Sequence, residues 1–434
     1  MSDDTHTHNP GRETQDDKTN SASSPEGLMA GAFDVSRVAA PMVGCSDLAF
    51  RLLCRRHGAT LCYTEMFYAD RFVESAEYRN EVFFSQLSPE DRPLAVQFAA
   101  NDAATLVAAA QLVAPYCDMV DLNLGCPQKR AQEGSYGSYL LDRADWPLVF
   151  GMVRALAKAV PLASCKIRLL PSLQQTLRFC RGLEAAGCGL LAVHGRQRGS
   201  PTRRRSGPAD LRAIKAIKRA LHIPVLTNGN VRCAGDIAVA LERTRADGAM
   251  VGEALLRDPA VLHPAAPDLP TVRARRELLR EYLALAATHA PPDVAYVRAH
   301  LTWQMGRVGS GARLRFKHLP FLSGPTARDE LALASSVTEC LAWCERSWAA
   351  NDALKEVGAQ VLLDGCSASD SEPAGSEQGS QLATGSGCRT QEREALWQDE
   401  EANPWALPPT GRVMALWHQG SVRFVTIPYS ADEK

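Results

Sequence analysis

Short apolar segments alternate with amphipathic segments through the middle of the chain. The apolar segments are residues 35–42, 60–66, 93–98, 118–124, 161–169, 189–195, 223–230 and 247–253. Several are apolar over most of their length, which is typical of parallel strands covered by helices. Between them the apolar residues follow helical spacing, as at Leu173, Leu177, Cys180 and Leu183, and Gly187 then supplies a stop. The pattern predicts eight β/α units.

Eight units that recur at intervals of about 30 residues predict a (β/α)8 TIM barrel, an α/β fold, over residues 29–265. A doubly wound sheet is the alternative for alternating strands and helices. No G-x-G-x-x-G sequence follows the first strand, as a dinucleotide-binding sheet of that kind would require. The sequence therefore favours the barrel.

The segments on either side of the barrel differ from it in composition. Residues 1–28 are polar and lack an apolar run, which predicts a disordered tail. Helical patterns at residues 278–287, 294–307 and 331–348 predict a small helical domain over residues 271–352. Residues 353–394 contain a stretch rich in Ser, Gly, Glu and Gln, which indicates a flexible linker. Residues 395–434 form a C-terminal extension with a potential hairpin that turns at residues 419–420.

Basic residues are clustered although the 434-residue chain has a net charge of −1. Residues 196–219 contain nine Lys or Arg against one acid, and residues 298–317 contain five against none. Much of the compensating acid lies in the N-terminal tail and in residues 356–401. A basic body with acidic ends fits a polyanionic partner such as a nucleic acid. Solvated helix faces are the alternative explanation of these clusters.

The thirteen cysteines are scattered without a C-x-x-C pair, and no signal peptide is evident. We therefore expect reduced thiols, a cytoplasmic or nuclear location and no metal site. No segment approaches the roughly 20 apolar residues that cross a bilayer, so we expect no membrane association. We also expect a monomer.

Polar residues and glycines occur where the predicted strands end, which is the end of a barrel that carries catalysis. Gly229 and Gly252 follow the last two strands and would let backbone N–H groups approach a phosphate, such as that of a flavin mononucleotide. Lys166 would need an anionic or polarised partner, for which the N1/O2 edge of a flavin is suitable. Gln97 can both donate and accept, which suits the N3–H and O4 of a flavin ring.

Cys126 lies on a Gly-Cys-Pro turn directly after the fourth strand. A thiol with an ordinary pKa of about 8.5 is protonated at neutral pH, so Cys126 can act as a proton donor beside a flavin. The alternative is a small apolar residue that caps the strand. Lys166 could instead form a Schiff base in an aldolase-like lyase.

At these residues the chain resembles the tRNA-dihydrouridine synthases, flavoenzymes that reduce the 5,6 double bond of uridine in tRNA. The resemblance covers about residues 38–317 and includes A-P-M at 40–42, N-x-G-C-P at 123–127, K-I-R at 166–168, H-G-R at 194–196 and N-G-N at 228–230. It is closest to the eukaryotic branch that acts on uridines 16 and 17 of the D-loop. Residues 61–66 and 120–140, and Arg51, Arg55 and Arg56 with Gly58, carry that finer similarity.

The resemblance implies a mechanism in which NADPH, or NADH, reduces FMN, hydride passes to uracil C6 and Cys126 protonates C5. It implies cofactor contacts at Pro41, Met42, Val43, Gln97, Lys166, His194, Asn228, Gly229, Asn230, Gly252 and Glu253. Many family members have Arg where this chain has Glu253. The tRNA contacts expected are Lys129, Arg168, Arg196, Arg298, Arg313, Arg315 and Lys317. A tRNA-binding protein without catalysis is a further alternative.

Overall fold

The structure is a computed structural model and describes residues 33–199, 207–267, 271–304, 325–366, 411–418 and 421–428. After a short strand β1 (Phe33–Asp34), eight parallel strands close into a barrel in which each strand pairs with the next and the last pairs with the first. This confirms the predicted TIM barrel. The barrel strands are β2 (Arg37–Ala39), β3 (Leu61–Tyr68), β4 (Leu94–Ala99), β5 (Met119–Leu124), β6 (Ala163–Leu169), β7 (Leu190–Gln197), β8 (Val225–Asn228) and β9 (Gly248–Val251).

Alternate residues of each strand separate the barrel interior from the layer beneath the helices. On β5, Val120, Leu122 and Leu124 belong to the apolar core between strands and helices, whereas Met119 belongs to a second core inside the barrel. Asp121 and Asn123 share the inward side with Met119 because strand side chains alternate with period two. The inner core is built from Val35, Val38, Ala40, Leu61, Tyr63, Ala95, Met119, Leu162, Leu190, Ala192, Leu226 and Met250. The interior is thus apolar toward the amino ends of the strands and polar toward their carboxyl ends.

Ten helices surround the strands, together with short 3₁₀ turns. Local sequence explains where several of them start: Ser172 Oγ accepts from Gln175 N at the start of the seventh helix. In that helix Phe179, Cys180 and Leu183 are buried, but Leu173 in its first turn is exposed. The helices are α1 (Leu48–Arg56), α2 (Ala69–Glu74), α3 (Ala76–Val82), α4 (Ala103–Val113), α5 (Lys129–Glu133), α6 (Trp146–Ala159), α7 (Leu173–Ala185), α8 (Leu211–Ala220), α9 (Gly235–Thr244) and α10 (Glu253–Arg257).

Among the described residues after the barrel there are four further helices: α11 (Val272–Thr288), α12 (Val294–Gln304), α13 (Pro325–Leu333) and α14 (Val337–Cys366). The sequence pattern predicted one helix over residues 331–348, which is wrong because the helix breaks at residues 334–336. Ser336 Oγ accepts from Glu339 N (3.2 Å), and the Glu339 carboxylate accepts from Ser335 N (2.7 Å). This is a reciprocal capping arrangement that starts a new helix. Helix α14 then continues to residue 366, into the segment predicted to be a linker.

The helical domain packs against α1 through a shared apolar core. Phe50 on α1 stacks on His300 of α12 with ring centroids 4.3 Å apart, and Tyr282 of α11 lies 4.6 Å from the same imidazole. Asp47 caps α1 by accepting from Phe50 N, and its other carboxylate oxygen lies 3.0 Å from His300 Nε2. Barrel and helical domain are therefore joined by both apolar and polar contacts.

Near the end of the described chain, β10 (Gly411–His418) and β11 (Ser421–Pro428) pair antiparallel, with His418 opposite Ser421. Strand β1 pairs with β10 on its other edge, which makes a three-stranded sheet. The N-terminal tail predicted over residues 1–28 and most of the predicted linker lie outside the described residues. In the part of the chain that the structure covers, none of the helices has the length and apolar character needed to span a bilayer.

Two of the arginines that mark the finer family resemblance have a structural role. Arg51 Nε donates to Asp91 Oδ2 (2.7 Å), and Arg55 Nε donates to Asp91 Oδ1 (2.8 Å). Asp91 is 1% exposed and Arg51 is 4% exposed. Arg51 also donates to the carbonyl oxygens of Ser46 and Gln86. One buried carboxylate thus balances two guanidinium groups and ties α1 to the segment before β4.

Replacing Asp91 tests this buried ion cluster. Asp91→Asn keeps the shape but leaves two largely buried cations without a counter-charge, so we expect a loss of about 3–5 kcal/mol in the free energy of unfolding. Urea denaturation measures it. The matched control is Glu277→Gln, which removes a carboxylate from the exposed Arg273–Glu277 pair and should change stability by less than about 1 kcal/mol. Equal stability of the two variants would show that the cluster does not stabilise the fold.

Candidate active site

The strand register places the predicted site residues next to one another at one end of the barrel. Gln97 on β4 pairs with Asp121 on β5, and Asn123 pairs with Lys166 on β6. Arg168 pairs with His194, and His194 in turn pairs with Asn228 of β8. Residues that are far apart in sequence therefore form a continuous band of polar side chains around the carboxyl ends of the strands.

A cavity of about 680 Å³ opens at this end of the barrel, a volume in the range that binds cofactors. Ten of the eleven predicted cofactor residues line it: Pro41, Met42, Val43, Lys166, His194, Asn228, Gly229, Asn230, Gly252 and Glu253. Within the described part of the chain Gln97 and Cys126 are not among its lining residues. The cavity also includes residues that the sequence did not indicate, notably Cys45, Arg232, Arg257 and Trp303.

Three of these additions carry no local signal in the sequence. Arg232 and Arg257 follow the last two strands, but isolated arginines on loops carry no distinctive sequence signal. Trp303 lies on α12 of the helical domain, so only the packing of α12 against the barrel brings it to the cavity. Contacts of this kind depend on tertiary structure and have no local sequence pattern.

Cations dominate the polar lining, where Lys166, Arg196, Arg232 and Arg257 lie with Glu253 as the one acid. Glu253 accepts from Arg257 NH2 (2.6 Å), so that carboxylate is already paired. Burial and, second, the charge of the neighbouring Arg168 lower the pKa of Lys166 to about 8, although Asp121 opposes the shift. The cavity favours an anionic ligand that restores charge balance.

Arg196, which the sequence analysis expects to contact RNA, lies in the cavity wall. Its guanidinium donates to His194 Nε2 (2.9 Å) and Asn230 Oδ1 (3.0 Å), and its Nε donates to Gly207 O (2.9 Å). Because a guanidinium can only donate, His194 accepts at Nε2 and carries its proton on Nδ1 when neutral. Arg196 thus fixes the orientation of His194 toward the cavity.

The backbone conformation at position 229 requires a glycine. Its φ is +119°, and a Cβ there would lie 2.8 Å from the Ala209 side chain and 3.3 Å from His194 Cδ2. The next residue, Asn230, also has a positive φ and is held by hydrogen bonds to both backbone groups of Ala209. The N-G-N sequence therefore builds a tight backbone cradle beside the cations.

Cys126 sits on a turn that its neighbours hold rigidly. Asn123 Oδ1 accepts from both Gly125 N (3.0 Å) and Cys126 N (2.9 Å). Ser138 donates twice to Cys126 O, from its backbone N and from its hydroxyl. The Cys126 side chain is half-buried, whereas the other cysteines with described side chains are buried. The thiol is thus accessible on an otherwise fixed turn.

Arg168 supports the same turn. Its Nε donates to Gly125 O (2.8 Å) and its NH1 donates to Gln197 O (3.3 Å). The side chain is buried, so these bonds bridge the Cys126 turn and the end of β7. The structure therefore gives Arg168 a positioning role, beside the RNA contact expected from the sequence.

Three tyrosines near Cys126 were not indicated by the sequence analysis. Tyr68 and Tyr139 pack with Cys126 around a small cluster that contains Tyr136. Tyr136 donates to Tyr68 Oη (3.3 Å), to which Arg130 also donates (3.2 Å), and Tyr139 donates to Pro127 O. Together they form an aromatic wall beside the thiol.

The remaining residues expected to contact RNA lie in different settings. Lys129 is 80% exposed at the start of α5, where it pairs with Glu133. Arg298 donates to Ala334 O (2.6 Å) and so holds the end of α13. Arg313, Arg315 and Lys317 lie outside the described residues. Among these residues, Lys129 is the cation that the structure places at the surface near Cys126.

The lowered pKa of Lys166 predicts a stability change that can be measured without a ligand. The pKa of Lys166 is about 8 in the folded protein, whereas its ordinary value is 10.5. Between these two pH values the unfolded chain binds more protons than the folded protein, so the free energy of unfolding rises with pH across that window. Lys166→Met should therefore stabilise the ligand-free protein at pH 7 by about 1–3 kcal/mol. The gain should disappear near pH 10.5.

Thermal melts of ligand-free protein at pH 7 and pH 10.5 measure this difference. Lys158→Met is the matched control, because Lys158 is exposed on α6 and should show no such pH dependence. A Lys166→Met protein that is less stable than the wild type at pH 7 would contradict the unfavourable burial of this cation.

Comparison with known proteins agrees with this geometry. The chain matches the family model "Dihydrouridine synthase (Dus)" over residues 37–312. It is 45% identical over 270 residues to a tRNA-dihydrouridine(16/17) synthase-like protein of Rattus norvegicus, which covers 61% of this chain and 58% of that protein. It is 40% identical over 254 residues to the tRNA-dihydrouridine(16/17) synthase of Schizosaccharomyces pombe, covering 57% and 62%. It is 41% identical over 229 residues to a tRNA-dihydrouridine(20a/20b) synthase-like protein of Mus musculus, covering 52% and 68%.

The alignments thus span about three fifths of the length of the two 16/17 relatives. The match to the family model covers more than half of this chain, because residues 37–312 make up most of its 434 residues. These residues contain all eight barrel strands. The chain belongs to the dihydrouridine synthase family.

Proposed function

We propose that the protein uses FMN and NADPH, or NADH, to reduce uridine to 5,6-dihydrouridine in the D-loop of tRNA, at positions 16 and 17. The observation that carries the proposal is the position of Cys126, on its fixed turn after β5, next to the strand that brings Lys166 into a cation-lined cavity at the carboxyl ends of the barrel strands. Membership of the family and the names of the 16/17 relatives support it.

The cavity suits FMN in size and in charge. Its glycine cradle and cations match a phosphate-bearing, anionic cofactor with an extended apolar ring. Gly229, Gly252, Arg232 and Arg257 would hold the phosphate end, and Lys166 would face the part of the ring that becomes negative. When bound, FMN carries two electrons from the nicotinamide nucleotide to the C5–C6 double bond of uracil.

Cys126 completes the reaction as a general acid. Its S–H bond breaks as the proton passes to C5, while C6 receives the hydride equivalent, and solvent then reprotonates the thiolate. The half-buried position of Cys126 permits that return of a proton. Asn123 accepts from Cys126 N and Ser138 donates to Cys126 O, and these bonds keep the thiol in place during the transfer.

A uridine must leave the tRNA fold to reach this thiol, because a stacked base cannot enter a pocket. The aromatic wall of Tyr68, Tyr136 and Tyr139 offers a surface for an extruded base. Lys129 lies exposed just beyond Cys126 and can contact a phosphate. The helical domain supplies the remaining contacts with tRNA in this proposal.

One observation favours a second candidate, a lyase that forms a Schiff base. The lowered pKa of Lys166 leaves more neutral amine near pH 8, which such a nucleophile needs. A lyase would give no role to Cys126 and its supporting hydrogen bonds, and membership of the family also disfavours it. A tRNA-binding protein without catalysis would not need Lys166 and His194 at the cavity.

The redox state of the cysteines supports the cellular location that we propose. The eleven cysteines described with side chains are all free thiols. We propose a reducing location, in the cytoplasm or the nucleus, and a monomeric protein.

The visible absorption spectrum separates these candidates. We expect the purified protein to show flavin bands and to form dihydrouridine at positions 16 and 17 of tRNA transcripts when NADPH is supplied, as mapped by reverse transcription. The control is the same tRNA with cytidine at both positions. A colourless protein that forms no dihydrouridine after incubation with FMN and NADPH would contradict the proposal.

A substitution at Cys126 tests the proton donor. Cys126→Ala should still bind FMN and be reduced by NADPH, but it should form dihydrouridine about 10²- to 10⁴-fold more slowly, since it lacks the general acid. The matched control is Cys117→Ala, just before the amino end of the same strand, which should retain the wild-type rate. Single-turnover assays with pre-reduced protein measure both. A wild-type rate in Cys126→Ala would rule out the assignment.

A further inference from the structure

We propose that Asp121 is a positioning residue that fixes the turn carrying Cys126 through a relay of side-chain amides, Gln97 and Asn123. The inference rests on the proposed function, because it explains how the chain aims the proposed proton donor. It concerns a residue that lies inside the barrel and does not itself line the cavity.

The relay starts at a carboxylate that is 0% exposed. Asp121 Oδ1 accepts from the Ser164 hydroxyl (2.6 Å), and Asp121 Oδ2 accepts from Gln97 Nε2 (2.8 Å). Gln97 Oε1 then accepts from Asn123 Nδ2 (2.7 Å). Asn123 Oδ1 ends the relay by accepting from the backbone N–H groups of Gly125 and Cys126.

The direction of every bond in the relay follows from the first one. An ionised carboxylate can only accept, so Gln97 must turn its amide nitrogen toward Asp121 and its oxygen toward Asn123. Asn123 must then turn its nitrogen toward Gln97, which leaves its oxygen for the Cys126 turn. Reversing either amide would place two donors or two acceptors against each other.

The relay also fixes the side-chain amide of Gln97, which is buried outside the described cavity lining. An amide nitrogen has two N–H groups, and the bond to Asp121 uses one of them. The fixed amide leaves the second N–H with a defined direction. Because Gln97 lies outside the described cavity lining, we expect the carboxylate to act mainly on the turn of the proton donor.

Folding alone does not explain a carboxylate at this position. Burial raises the pKa of Asp121, and the hydrogen bonds from Ser164 and Gln97 and the charge of Lys166 reverse only part of the shift, so the pKa is about 6. Burial raises the pKa of the Tyr63 phenol on β3, and the charge of Asp121 raises it further. Because the folded pKa exceeds the usual 3.8, ionisation of Asp121 destabilises the fold as pH rises between these values. A neutral side chain would be more favourable for stability at pH 8.

Three variants test the relay. Asp121→Ala removes the acceptor, so the orientation of Gln97 is no longer fixed. Asp121→Asn keeps the shape but can present either an oxygen or an N–H₂ group to Gln97. Asp118→Asn is the matched control, because Asp118 lies just before the amino end of the same strand and accepts from Arg92 and Leu94 N.

We expect uridine reduction by pre-reduced, FMN-loaded protein to slow at least tenfold in Asp121→Ala and about three- to tenfold in Asp121→Asn. Reduction of the flavin by NADPH should stay within about twofold of the wild-type rate in both variants. Asp121→Asn should melt at or above the wild-type temperature at pH 8. Asp118→Asn should reduce uridine at the wild-type rate.

A second measurement needs neither cofactor nor tRNA. Alkylation of Cys126 by iodoacetamide in flavin-free protein, followed by mass spectrometry, should be at least threefold faster in Asp121→Ala, since the turn is no longer held. Unchanged alkylation and uridine reduction in both Asp121 variants would overturn the relay. A parallel fall in both half-reactions together with a lower melting temperature in Asp121→Asn would also overturn it, in favour of a structural role. If the wild type forms no dihydrouridine, the proposed function fails, and the alkylation rates still decide on the relay.

Discussion

The parallel register of the closed barrel is the constraint on which the site depends. Alternation along each strand separates side chains inside the barrel from those beneath the helices, and the register then decides which polar residues meet inside. Asn123 faces Lys166, and Arg168 faces His194, because each strand advances the polar layer around the barrel. A shift of one residue on β5 would turn Asp121 and Asn123 outward into the apolar core beneath the helices. Fold and site are therefore specified by the same pairing.

This arrangement buries ionisable groups at the candidate site, where their charged forms are unfavourable. The pKa of Lys166 is lowered and the pKa of Asp121 is raised, so each group is pushed by burial toward its neutral form. The fold bears this cost because other interactions, such as the Asp91 cluster and the apolar cores, stabilise it elsewhere. Perturbed groups that contribute little to stability are typical of functional sites.

The sequence predicted the parts of the structure that depend on local pattern. Eight strands, the turn at Cys126 and ten of the cavity residues follow from periodicity, glycine positions and the family motifs. It did not predict the bonds of Arg196 to His194 and Asn230, because an arginine in a basic run gives no sign of its partner. It also missed the break before α14, although the Ser336-to-Glu339 spacing is a capping signal. There the continuous apolar pattern concealed the local cap.

The barrel and the helical domain are distinct segments of the sequence, but contacts across their boundary contribute to the stability of both. Tyr296 on α12 donates to Glu65 of β3, whose other carboxylate oxygen accepts from Gly44 N beside the cavity. Trp303, on the same helix, lines the cavity itself. Without α11 and α12, Glu65 would lose a donor in a buried position and the apolar face of α1 would be exposed to water. The helical domain, which the proposed function assigns to tRNA, therefore also forms part of the wall of the cavity and supports it.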